Sequence, residues 1–290
     1  MTARPERVPA EEVKKRMLDA GRELALDAGA ALTIEHLRLE EVIQRARVPR
    51  SSVYRLWAYR EEYIDDLLCY LAGEGSWFSE RPVLAPETSS VVERILTGNT
   101  RLLGTPEGRR AILLEVVRLT TMCNYDALTE STTWRLHMAL VATLGSTRSG
   151  EARRRIAAAL EEAQKQSRDS MVALLSYLMG VLGLRLRDPA YTLDHIQLAG
   201  GLLIQSLALR NVQVQAALGE DAAGDGQAAP SVPQEAKEVR ALLNAPVPGP
   251  GLDGEPAEWT LAARAYLGVL DTFIELDPDF VPPSGDTAAG

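Results

Sequence analysis

The sequence predicts an all-α protein, and three observations carry that prediction. Nearly every apolar run has the helical period, with hydrophobic residues recurring three and four positions apart. No stretch alternates apolar and polar residues as a half-buried strand does. Prolines and glycines collect between the periodic segments, where helices start and stop.

Taken in chain order, Glu11 to Ala28 places Val13, Met17, Ala20, Leu24 and Ala28 on one face, and Gly29 is a natural stop. A short helix over Leu39–Ala46 collects Leu39, Val42, Ile43 and Ala46. A third begins near Pro49, where proline suits a first turn, and ends around Trp57. A fourth spans about Arg60–Gly73, with Tyr63, Ile64, Leu67, Leu68 and Leu71 inward. Further helices are expected over Thr88–Leu103 and Glu107–Met122, the second capped by Thr105 with Pro106 in its first turn. Tyr125–Leu144, Gly150–Leu186, Leu193–Leu218 and Ala257–Leu276 complete the set. Gly219–Pro233 reads as a flexible linker, Ala245–Pro256 as a Pro/Gly loop, and Pro278–Gly290 as a frayed tail.

With 290 residues, 46% hydrophobic and 24% charged, the chain is able to bury a core. Its net charge of −9 is unevenly spread. Residues 1–60 hold 12 Lys+Arg against 9 Asp+Glu, and the remainder 19 against 31, so a mildly basic head precedes an acidic body. The most apolar stretch, Met171–Leu186, is interrupted by glycines and carries Arg185, which argues against a membrane span. Met1–Ala10 lacks the apolar centre of a secretory signal. Cys69 and Cys123 form no metal pattern and lie among apolar neighbours, so buried free thiols in a reducing cytoplasm are expected.

The informative segment is Leu39 to Trp57: two short helices around a tight turn. Ala46 is small enough for a second helix to cross close by, Val48 plugs the corner, and Val53 and Trp57 face inward. The outward face then presents Arg50, Ser51, Tyr54 and Arg55. Arginine pairs with a guanine edge or clamps a phosphate, and serine donates to either. The start of such a helix also offers free N–H groups to phosphate.

Met17-Leu18-Asp19-Ala20-Gly21 with Leu24, the run Ala46-Arg47-Val48-Pro49-Arg50-Ser51-Ser52-Val53-Tyr54-Arg55-Leu56-Trp57, and the Arg60-Glu61 start of the fourth helix together resemble the TetR-type transcription regulators. The resemblance covers residues 13–72. It implies an N-terminal three-helix helix-turn-helix domain with a linking helix (1–73), and a larger helical ligand-binding and dimerisation domain (74–290, with the linker and Pro/Gly loop at 219–256). It further implies that Arg50, Ser51, Ser52, Tyr54 and Arg55 lie at double-stranded operator DNA, and that Arg38 and Arg60 sit at phosphate-contacting positions. A homodimeric, cytoplasmic repressor answering a small-molecule effector follows from the same likeness. Three features depart from the pattern, one of them an Ala30–Leu37 connection between the first two helices that is longer than is usual in the family. Arg47 stands where the family has glycine, so either a left-handed residue costs roughly 1–2 kcal/mol there or the turn has another shape. Ala58-Tyr59 replaces proline-serine and removes a good N-cap.

His36, His137 and His195 lack metal spacing. The last two are expected in core or pocket positions. Glu40-Glu41 and Asp65-Asp66 are adjacent pairs whose side chains diverge around a helix, which assigns them to solvated faces or helix N-termini. No nucleophile elbow, phosphate loop or dinucleotide fingerprint is present, so neither an enzyme nor a cofactor is expected. Met122, Trp134, His137, Met138, Tyr177 and Met179 are candidates for an effector pocket. The small residues Gly180, Gly183, Gly200 and Gly201 mark Met171–Leu186 and Leu193–Leu209 as dimerisation candidates. The competing reading is a helical interaction or ligand-sequestering module that has lost DNA binding, favoured by Arg47 and the overall acidity.

Overall fold

A computed structural model describes residues 9–27, 37–80, 86–144, 150–218, 234–252 and 254–282. The expected stop at Gly29, residues 30–36 of the Ala30–Leu37 connection with His36, the Gly219–Pro233 linker and most of the tail lie outside the described residues. The protein is mostly helical: among the described residues there are twelve α-helices and two small antiparallel strand pairs. No described helix is long and apolar enough to cross a membrane.

The described residues within Met1–Pro82 and Ser131–Ser167 pack as one compact unit, and those within Val83–Glu130 and Arg168–Gly290 as another. The division read from sequence at Gly73 therefore differs from the packing. Residues 74–80 and 131–167 belong with the N-terminal unit.

In the first unit, α1 (Ala10–Asp27) buries Val13, Met17, Ala20 and Leu24. Leu18, Gly21 and Ala25 widen the buried stripe, so that α2 (Leu39–Ala46), α3 (Arg50–Leu56) and α4 (Arg60–Ala72) all pack on this helix. The α1–α4 approach is close because position 21 has no side chain: a β-carbon there would run into the Tyr63 hydroxyl, which donates to the Met17 carbonyl at 3.0 Å. α5 (Trp77–Glu80), α8 (Thr132–Thr143) and residues 150–167 of α9 (Gly150–Leu182) complete the unit. Leu136, Leu140, Ile156 and Leu160 join its core.

The sequence segment Tyr125–Leu144 is two helices, not one. α7 (Pro106–Glu130) runs through Met122 to Glu130, and Ser131 then caps α8 by accepting the Trp134 N–H at 3.0 Å. At the other end of α7 the expected cap is present, with Thr105 Oγ1 accepting the Gly108 N–H at 3.1 Å. Cys123 is exposed and Cys69 half-buried, which corrects the expectation of two buried thiols. Cys123 falls off the stripe formed by Val116, Val117, Tyr125 and Leu128.

The second unit is centred on α7, against which α6 (Pro86–Gly98), α10 (Leu193–Leu218) and α12 (Leu261–Phe273) pack. α6 is shorter than Thr88–Leu103 implied, and a 3-10 turn occupies Thr100–Gly104. α9 stops at Leu182, and Leu184–Leu186 is β1. One strand lies in the Pro/Gly loop, β2 (Val247–Pro250), and it pairs antiparallel with β3 (Pro256–Trp259), which takes the first residues of the expected final helix. The final helix is correspondingly trimmed to α12, capped by Thr260. β4 (Ile274–Leu276) follows and pairs with β1, setting Arg185 opposite Glu275. Between the linker and the hairpin, Gln234–Asn244 forms α11, which packs on α10. Trp259, Ala263, Leu267 and Leu270 are buried with Ile112, Val116 and Ile196, so the C-terminal extension is part of this core. Gly183 has φ +60°, and the Phe280 ring occupies the space a β-carbon would need.

Candidate functional site

The site is built by α2, the turn after it, and α3. α2 buries Leu39, Val42 and Ala46. Arg47 then adopts the left-handed conformation (φ 52°, ψ 44°), and its N–H bonds to the Gln44 carbonyl at 3.3 Å. Of the two turn shapes open to the sequence, the left-handed one is present, and Arg47 is the only non-glycine residue with positive φ among the described residues. Val48 is buried and Pro49 is extended ahead of α3. Three residues join α2 to α3, and α3 packs on α1.

α3 buries Val53, and Trp57 closes it from below. The indole stacks edge-on against Tyr63, centroids 5.2 Å apart, and donates to Asp66 Oδ2 at 3.1 Å. Asp66 also receives Lys14 on Oδ2 at 3.0 Å and Arg155 on Oδ1 at 2.7 Å. Partial burial would raise the Asp66 carboxyl, but the hydrogen bonds from Arg155, Lys14 and Trp57 outweigh it and hold the group below its ordinary value. Three elements are thus fastened under the end of α3. Adjacent Asp65 is raised instead, first by burial, so the two neighbouring carboxyls have opposite environments.

The opposite face of α3 is open. Arg50, Ser51, Tyr54 and Arg55 are exposed and Ser52 is half-buried. Arg55 donates to Ser52 Oγ at 3.3 Å. Arg50 donates to Glu40 Oε1 at 2.8 Å, and its guanidinium carbon lies 5.6 Å from the Tyr54 ring centroid. Arg38 is exposed at the N-terminus of α2, which has no side-chain cap. Arg60 is turned differently: its Nε and Nη2 donate to the Leu37 carbonyl at 3.3 and 3.1 Å, fastening the start of α4 to the residue before Arg38. The missing N-cap of α4 is replaced by Glu62, whose Oε2 accepts the Ala58 and Tyr59 N–H groups at 2.8 and 3.4 Å. The face therefore offers guanidinium, hydroxyl and aromatic groups on a short helix.

The six pocket candidates do not form one site. Trp134, His137 and Met138 belong to the first unit; Met122, Tyr177 and Met179 belong to the second. Trp134 and His137 are core residues. His137 meets Phe78 edge-on at 5.0 Å, its Nδ1 has no hydrogen-bond partner, and burial drives its pKa down to about 4. Met122 and Met179 pack against the second core. Tyr177 is exposed and lines a cavity of about 340 Å³ with Val92, Leu96 and Leu174. A larger groove of about 950 Å³ in the first unit runs past Lys14, Asp66, Tyr70 and Arg155. His195 is exposed, not in a core: its Nδ1 accepts the Thr192 N–H at 3.0 Å and caps α10. The described residues contain no group of three His, Cys, Asp or Glu able to hold a metal ion. Glu40 and Asp66 were singled out in the sequence only as helix-face charges, since spacing alone does not reveal their partners.

No protein-family model matches the chain, and neither a curated protein nor a solved structure matches it.

Proposed function

We propose that the chain is a sequence-specific DNA-binding transcription regulator of the TetR type, acting as a ligand-responsive homodimeric repressor. In this reading α1–α3 are the helix-turn-helix domain, α4 is the linking helix, and the second unit binds effector and dimerises. One observation carries it. α2 and α3 are joined through a left-handed residue, with Val53 and Trp57 buried while Arg50, Ser51, Tyr54 and Arg55 share one open face. A helix so presented fits the major groove, with arginine reading a guanine edge and hydroxyls meeting phosphate. Arg38 contacts the backbone, and Arg60 positions the residue before it.

A single short recognition helix reads few bases, and a two-fold dimer doubles them. Support for dimerisation comes from α10, where Leu198 and Leu202, one turn apart, are 54% and 56% exposed. The 340 Å³ cavity beside Tyr177 is of ligand-pocket size, at the low end. Effector binding lowers the population of the DNA-competent dimer.

The competing reading, a sequestering or interaction module without DNA binding, is favoured by the net charge of −9 and by the pairing of Arg50 with Glu40. A mobility-shift assay with duplexes selected from a randomised pool decides between them. R50A and Y54A should each weaken binding by about 1–3 kcal/mol with the oligomeric state unchanged. Variants that shift DNA as the parent does would remove the recognition assignment.

A further inference from the structure

Resting on the DNA-binding reading, we infer that Glu40 sets sequence specificity by holding Arg50 back from the phosphate backbone. Glu40 lies in the first turn of α2 and Arg50 opens α3, ten positions on. The left-handed turn at Arg47 brings them together, Arg50 Nη2 to Glu40 Oε1 at 2.8 Å. The Tyr54 hydroxyl stands 3.4 Å from the same Nη2 and 3.5 Å from the same carboxylate oxygen, closing a three-membered cluster. The Arg50 and Glu40 side chains are 63% and 56% exposed, so the cluster sits on the open face and not beneath it.

A guanidinium carries five N–H donors, and Glu40 engages only one of them. The Tyr54 hydroxyl shares that same Nη2 at 3.4 Å, so Arg50 forks onto the N7 and O6 of a guanine by giving up the long Tyr54 contact while Glu40 keeps its own. A phosphate brought to the same donors stands beside the Glu40 carboxylate, and the two anions repel, whereas a guanine edge carries no charge. The carboxylate thus taxes sequence-independent contacts and spares the base contact, and specificity is a difference between those two affinities. On this account the acidic residue on a DNA-facing surface is a positioning residue for Arg50.

The test compares the parent chain, E40Q, R50A and the E40Q/R50A double variant on two probes across a salt series: a duplex selected from a randomised pool and a scrambled duplex of the same composition. E40Q should bind the scrambled duplex roughly two- to fivefold more tightly, the size of an exposed pair, with less change on the selected one. Its log-affinity slope on the scrambled duplex should steepen by about 0.9 as Arg50 gains a phosphate. In the R50A background E40Q should leave the selectivity ratio unchanged. A parent chain that discriminates, with an E40Q ratio and slope equal to it, overturns the role of Glu40 alone. An E40Q effect of equal size with and without Arg50 also overturns it, since Glu40 would then act on DNA by itself. A parent chain that retards neither duplex overturns the DNA-binding reading, and this inference with it.

Discussion

Arg47 is the sharpest place to perturb the fold. It is exposed, it ends α2, and its φ of 52° is a conformation that a β-carbon makes costly. The cost for a non-glycine residue is roughly 1–2 kcal/mol. Glycine escapes it but gives back about 0.4–1 kcal/mol through the larger entropy of its unfolded chain. Comparing R47G with the parent would mix in the loss of a cation from a helix C-terminus, about 0.3–1 kcal/mol, so R47A is the proper reference. R47G should then be more stable than R47A by about 0.5–1 kcal/mol. That corresponds to roughly 1–4 °C in a thermal transition followed by circular dichroism. R47N, which tolerates the left-handed region, should fall between them. If R47A equals or exceeds R47G, position 47 is not left-handed and the turn between α2 and α3 is wrongly drawn.

Two further perturbations probe the first unit. G21A should destabilise by about 1–3 kcal/mol, because the new methyl displaces the Tyr63 hydroxyl from Met17; a gain of about 1 kcal/mol, as helix propensity alone would give, would contradict the close α1–α4 contact. His137 is buried without a partner for Nδ1 and has its pKa lowered to about 4. The unfolded chain, titrating near 6.5, binds the proton first. Stability is full above that value and declines as pH falls toward 4, by about 2 kcal/mol between pH 7 and 5. Urea midpoints at the two pH values should show that decline in the parent and much less in H137M, and equal declines would contradict it.

What was legible in the sequence followed the strength of the periodic signal. α2, α4 and α10 appear close to where their apolar spacing put them, because each buries a stripe along its whole length. The stop at Glu130 did carry a signal, the polar run Thr129-Glu130-Ser131-Thr132-Thr133 with Ser131 as an N-cap, but the apolar residues on either side of it read as one helix. The hairpin of β2 and β3 was hidden. Val247-Pro-Gly-Pro has no alternation, and its pairing is secured by Trp259, whose indole donates to the Pro250 carbonyl at 3.1 Å. At the candidate site, the open residues of α3 follow from which positions are apolar. The partners do not: Glu40 reaches Arg50 only through the turn, and Arg60 is spent on a carbonyl that no residue type announces.

The Asp66 cluster has a consequence for how this protein tolerates substitution. Two cations from different helices hold opposite oxygens of one carboxylate, and an indole N–H shares one of them. Loss of Lys14 leaves Arg155 in place, and loss of Arg155 leaves Lys14, so either position is free to drift while the other is kept. Asp66 has no such understudy. Its loss takes the acceptor from the part-buried Trp57 N–H and releases Lys14 and Arg155 together, so Asp66 is the member of the cluster with least room to wander.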